Sequence, residues 1–126
     1  MKSVITAEKA PKAIGPYSHA NRFEGLIFTS GQLPVDANTS NIVEGGITAQ
    51  SRMALENLKF VLEAGEGDLT TVLKTTCYLS DIADFAAFNE VYKEFFATDC
   101  PARSCFAVKQ LPLGALVEIE AIAFRK

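Results

Sequence analysis

The chain is poor in the residues that most often build metal and thiol centres. It has one histidine, His19, and three cysteines, Cys77, Cys100 and Cys105, odd in number, widely spaced and without a C-x-x-C pair. Neither a disulfide framework nor a zinc site is indicated. A Cys105–His19 nucleophilic pair is the one thiol chemistry this inventory leaves, and neither residue sits in a nucleophile motif. His19, two residues after Tyr17, reads as a structural residue at or near the surface. No apolar run approaches the roughly 20 residues needed to cross a bilayer. The first residues, Met1 to Thr6, lack the apolar core of a signal peptide and the Arg/Ser bias of a transit peptide, so the expected location is the cytoplasm. Positive charge is not in excess either: 12 Lys and Arg against 15 Asp and Glu give a net charge of −3, with no basic cluster to meet nucleic-acid phosphates.

What the chain does have is enough for one core. With 126 residues and 48% hydrophobic content, a single domain spanning 1–126 is expected. Residues 1–6 alternate loosely, as an edge strand does. Ala10 to Pro16 reads as loop, Ser18 to Phe23 as a strand, Glu24-Gly25 as a turn, and Leu26 to Ser30 as a buried strand ended by Gly31. Gln32 to Gly46, with Pro34 and the Gly45-Gly46 pair, reads as an ordered loop or small hairpin. From Ile47 to Ala64 the residues Ala54, Leu58, Val61 and Leu62 make one face of an amphipathic helix, stopped by Gly65 and Gly67. Leu69 to Leu79 favours a strand. Ser80 or Asp81 caps a second helix running to about Ala97, with Phe85, Phe88, Tyr92 and Phe95 as a core stripe and Asn89 beside it. The order predicts an α+β fold, a mixed sheet with both helices packed on one face.

The last two strands carry charge where core is expected. In Pro101 to Val108, period-two alternation sets Arg103, Cys105 and Ala107 on one face. In Val117 to Ala123, Glu118 and Glu120 share a face with Leu116, Ile122 and Phe124. Paired as a hairpin, the two strands would bring one guanidinium fork and up to two acids together. A fork grips a carboxylate bidentately and a glutamate holds or activates water, which outlines a site for a small carboxylic acid. A structural Arg–Glu pair at an edge or interface fits the local pattern equally well. The final strand is also apolar on both faces, and two helices cover only one. Another copy of the chain is the economical cover for the second.

Taken in order, Ala13-Ile14-Gly15-Pro16-Tyr17-Ser18, Phe28-Thr29-Ser30-Gly31-Gln32-Leu33-Pro34, Phe88-Asn89-Glu90-Val91-Tyr92, Pro101-Ala102-Arg103-Ser104-Cys105 and Glu118-Ile119-Glu120-Ala121 resemble the Rid (reactive intermediate deaminase, YjgF-type) family in its RidA-like branch. The resemblance covers essentially the whole chain. It implies a chorismate-mutase-like fold assembled as a homotrimer with sites in the clefts between subunits. It also implies hydrolysis of 2-imino acids and their enamine tautomers to 2-keto acids and ammonia, with no cofactor and no metal, protecting pyridoxal-phosphate enzymes. On this resemblance Arg103 binds the substrate carboxylate and Glu118 positions water, while Tyr17, Ser30, Gly31, Asn89 and Cys105 line the cleft. The alternation of residues does not itself choose between Glu118 and Glu120. His19 stands where the family commonly has glutamine, and the short connection Ala97 to Cys100 leaves the cleft rim, and so substrate preference, open. A trimer that binds 2-keto acids without catalysis, and an RNA-acting translation inhibitor, are the competing readings.

Overall fold

The computed structural model describes residues 1–126. Eight strands and two helices follow one another as β1 (Ser3–Ile5), β2 (Ala20–Phe23), β3 (Leu26–Thr29), β4 (Val35–Asp36), β5 (Asn41–Ile42), α1 (Gly46–Ala64), β6 (Val72–Leu79), α2 (Phe85–Phe95), β7 (Ala102–Ala107) and β8 (Val117–Phe124). Six of them form one mixed sheet in the order β1-β2-β3-β8-β6-β7, and β4 and β5 form the small hairpin anticipated between Gln32 and Gly46. The architecture is α+β with both helices contributing to one core.

That core follows from the helical period. Ala54, Leu58, Val61 and Leu62 are all fully buried, joined by Leu55, and α2 adds Phe88, Val91 and Tyr92. Against them stand the inward residues of the sheet: Ile27 of β3, Cys77 and Leu79 of β6, and Val117, Ile119, Ala121 and Ala123 of β8. The aromatic stripe of α2 is therefore core, with Phe85 and Phe95 packed at its margin. Asp81 caps a single 3-10 turn at Ile82–Asp84, accepting from the Ala83 N–H at 2.9 Å, and α2 starts only after it.

Three expectations need correction. Leu69–Thr71 is a 3-10 turn capped by Asp68, so strand geometry begins at Val72. Leu26 and Phe28 of β3 point to the helix-free side, which makes β3 a half-buried strand. Finally, β7 and β8 do not pair. β6 lies between them, parallel to β7 through the α2 crossover and antiparallel to β8.

The insertion of β6 decides where charge goes. Thr75 of β6 is opposite both Arg103 and Ala121, so Arg103 faces the helices. Tyr78 is opposite Glu118, and Thr76 opposite Glu120, so both acids face the other way. On that open face, neighbouring Phe28 and Ile122 and neighbouring Leu26 and Phe124 form an apolar row. Phe28 and Phe124 are 44% and 42% exposed. Nothing in one chain covers them.

Candidate active site

Two clusters of functional side chains stand on opposite faces of the sheet. The first is built where the edge strand β7 meets α2. Arg103 donates from Nη1 to Asn89 Oδ1 at 2.8 Å, and its guanidinium carbon lies 4.7 Å from the Tyr92 ring centre and 5.5 Å from that of Phe85. The two rings and one amide hold the fork in place while leaving donors free. Arg103 takes part in none of the chain's five salt bridges, which use Arg22, Arg52, Lys93, Arg125 and Lys126. A half-buried arginine oriented by neutral partners is a cation lacking its counter-ion. Cys105, on the same face, has its thiol pushed up by burial, partly offset by the nearby guanidinium, which disfavours the thiolate a nucleophile needs.

The second cluster lies on the open face. Gln32 and Ile119 exchange backbone hydrogen bonds at 2.7 and 3.1 Å, which draws the end of β3 onto β8 and lays Gly31 against the Glu118 side chain. A Cβ at position 31 would sit 2.6 Å from Glu118 Oε2, so glycine is what lets the carboxylate lie there. Ser30 spends its hydroxyl on the Ser18 carbonyl at 2.6 Å and its N–H on the His19 carbonyl, bracing the turn. Tyr17 is exposed and accepts at its hydroxyl from the Ile14 N–H at 3.2 Å. Together with Thr29, Leu33 and Pro112, these residues and both glutamates line a cleft of about 300 Å³.

Within that cleft the two acids differ. Glu120 accepts from the Tyr78 hydroxyl at 2.8 Å. Glu118 accepts no hydrogen bond from the protein, and burial first, then the charge of Glu120, raise its carboxyl above the ordinary range. Geometry therefore separates what alternation alone left equal: Glu118 is the acid with no donor from its own chain. Tyr78 was not anticipated; only the register between β6 and β8 reveals it.

The expected meeting of Arg103 with the glutamates does not occur inside one chain. Nor does a Cys105–His19 pair: four strand steps, roughly 19 Å, separate β2 from β7. His19 is buried, its Nδ1 accepting from the Ala7 N–H at 2.9 Å and its Nε2 lying 2.8 Å from the Pro11 carbonyl, so the ring is a structural clasp.

An α+β chain with an unpaired arginine at one sheet edge and a lone carboxylate in an open-face cleft matches known proteins over its full length. The family model described as endoribonuclease L-PSP covers residues 7–125. A RutC family protein of Pyrococcus horikoshii is 49% identical over 100% of both chains. The human protein named 2-iminobutanoate/2-iminopropanoate deaminase is 42% identical over 99% of this chain and 91% of its own. A solved structure of a conserved Rid family protein from Yersinia pestis superposes with a TM-score of 0.95 at 42% identity, covering 98% of this chain and 99% of that one. The chain belongs to the Rid, or YjgF-type, family.

Proposed function

We propose that the protein is a cytoplasmic deaminase that hydrolyses 2-imino acids such as 2-iminopropanoate and 2-iminobutanoate, and their enamine tautomers, to 2-keto acids and ammonia. It works as a homotrimer whose sites each take Arg103 from one copy and Glu118 from the next. The observation that carries this reading is Arg103 itself, a fixed fork with free donors and no carboxylate of its own. A split site explains why the complementary groups stand on opposite faces of one chain. The apolar row on the open face supplies a reason for copies to associate. The human relative's name supports the choice of substrate.

In this scheme the fork holds the substrate carboxylate and Tyr17 closes the cleft. Glu118 takes a proton from water as the oxygen attacks the imine carbon and returns it to nitrogen; the C–N bond then breaks as the carbonyl forms, and the hydroxyl proton passes to the departing ammonia. Protonated imine and water thus become keto acid and ammonium, with no redox step. The imine carbon is already electrophilic, so orientation and water delivery supply the acceleration.

The test is a coupled assay in which a pyridoxal-phosphate dehydratase generates 2-aminoacrylate from serine. Wild type should accelerate release of pyruvate and ammonia, and Arg103→Ala should not. Full activity in Arg103→Ala would remove the central claim. Absence of acceleration by wild type, together with calorimetric binding of 2-ketobutyrate, would favour the non-catalytic binder. The family model's description favours a test of RNA as well. With a net charge of −3, no salt-sensitive RNA binding or cleavage is expected.

A further inference from the structure

Tyr78 is a residue that the reaction scheme above does not use, yet it touches the acid pair directly. It stands directly opposite Glu118 in the β6–β8 register, but its hydroxyl reaches diagonally to Glu120. The ring is aimed that way by Phe106 of β7, which it meets edge-on at 5.4 Å and 82°. Tyr78 also lines, with Gly31, Val108, Gln110, Leu111 and the two glutamates, the side of the cleft away from Tyr17.

We propose that Tyr78 is a positioning residue for the acid pair: by holding Glu120 in a hydrogen bond, it leaves Glu118 as the member free to take and return the proton. The inference rests on the deaminase reading only for what that proton is used for. A carboxylate that already accepts a donor is the poorer base of a pair, so the proton taken from water goes to the other member. The hydroxyl suits this task because the bond to Glu120, with burial second, pushes its own pKa up to about 12, so it remains a donor at any working pH. The groups facing Glu118 from its surroundings are few. They are Glu120 on its own strand, Tyr78 from β6 and Tyr17 from the N-terminal loop. Gly31 and Ser30 after β3 and Pro112 before β8 bring no charge. Lys74 of β6 is turned to Ser104 of β7 at 3.1 Å, and Arg103 is on the opposite face of the same chain. In the proposed assembly a second copy's Arg103 joins them across the substrate.

The experiment is a carbon-13 NMR pH titration of glutamate side-chain carboxyls in the intact protein, assigned with Glu118→Gln and Glu120→Gln. In wild type Glu118 should titrate above the ordinary carboxylate range. In Tyr78→Phe, which keeps the ring and its contact with Phe106, the Glu118 midpoint should move to lower pH. On the same samples kcat for imine hydrolysis should fall several-fold with KM unchanged, since the carboxylate is held elsewhere. A wild-type Glu118 midpoint within the ordinary carboxylate range overturns the proposal, as does an unchanged Glu118 midpoint in Tyr78→Phe. Wild type inactive as a deaminase with the titration as described would instead refute the deaminase reading alone.

Discussion

At the scale of single residues, the candidate site depends on one missing side chain and one misplaced charge. Gly31 matters because Glu118 occupies the space its Cβ would take. Gly31→Ala should therefore fold, since the clash falls on the mobile end of a side chain, while displacing the carboxylate and lowering kcat/KM by at least about tenfold. Steady-state kinetics beside a thermal melt separate the two effects. Glu118 itself is held at a cost. Its carboxyl is raised in the folded state by burial and by Glu120, so the native protein binds that proton more tightly than the unfolded chain. This penalty is absent below the unfolded value and appears as pH rises through the folded one. Glu118→Gln is accordingly expected to abolish deamination and yet melt higher than wild type at neutral pH, the gap closing as the solution is acidified. Equal melting temperatures at every pH would contradict the assignment.

At the scale of elements, helices, strand faces and the tight turns at Glu24-Gly25 and within Gln32–Gly46 were legible from the sequence, and the neighbours of the last three strands of the sheet were not. The buried face of α1 could be named in advance because a 3.6-residue period states which side chains share a side. The faces of Arg103 and of the two glutamates followed from period two in the same way. Alternation says nothing about which strand lies beside which. The short connection between β7 and β8 suggested a hairpin, whereas the α2 crossover sets β6 and β7 side by side in parallel and leaves β8 beyond. That one insertion turned an expected intrachain cluster into two separated halves. It also created the Tyr78–Glu120 bond, which depends on a pairing between residues 42 positions apart. The His19 clasp is a similar case, since its value lies in tying the strand-free segment around Ala7 and Pro11 to the start of β2. His19→Ala would strand the buried Ala7 N–H and should cost about 1–3 kcal/mol of stability in chemical denaturation, with KM little changed. A loss of activity without loss of stability would argue for a direct role instead.

At the scale of the whole molecule, an open sheet face with a row of exposed aromatic and aliphatic side chains, and Arg103 and Glu118 on opposite faces, are what the proposed assembly of copies would bring together. The same proposal gives Arg103, which takes part in no salt bridge within its own chain, a substrate carboxylate to bind at the cleft of a second copy. The most direct measurement is complementation between Arg103→Ala and Glu118→Gln. Each variant alone should be inactive while running at the wild-type oligomeric mass. Unfolded together in equal amounts and refolded, they should form mixed trimers in which some clefts combine an intact Arg103 from one copy with an intact Glu118 from another, restoring roughly a quarter of wild-type activity. Mixed oligomers that form and remain inactive would contradict a site shared between copies, and with it the account of how this chain performs its chemistry.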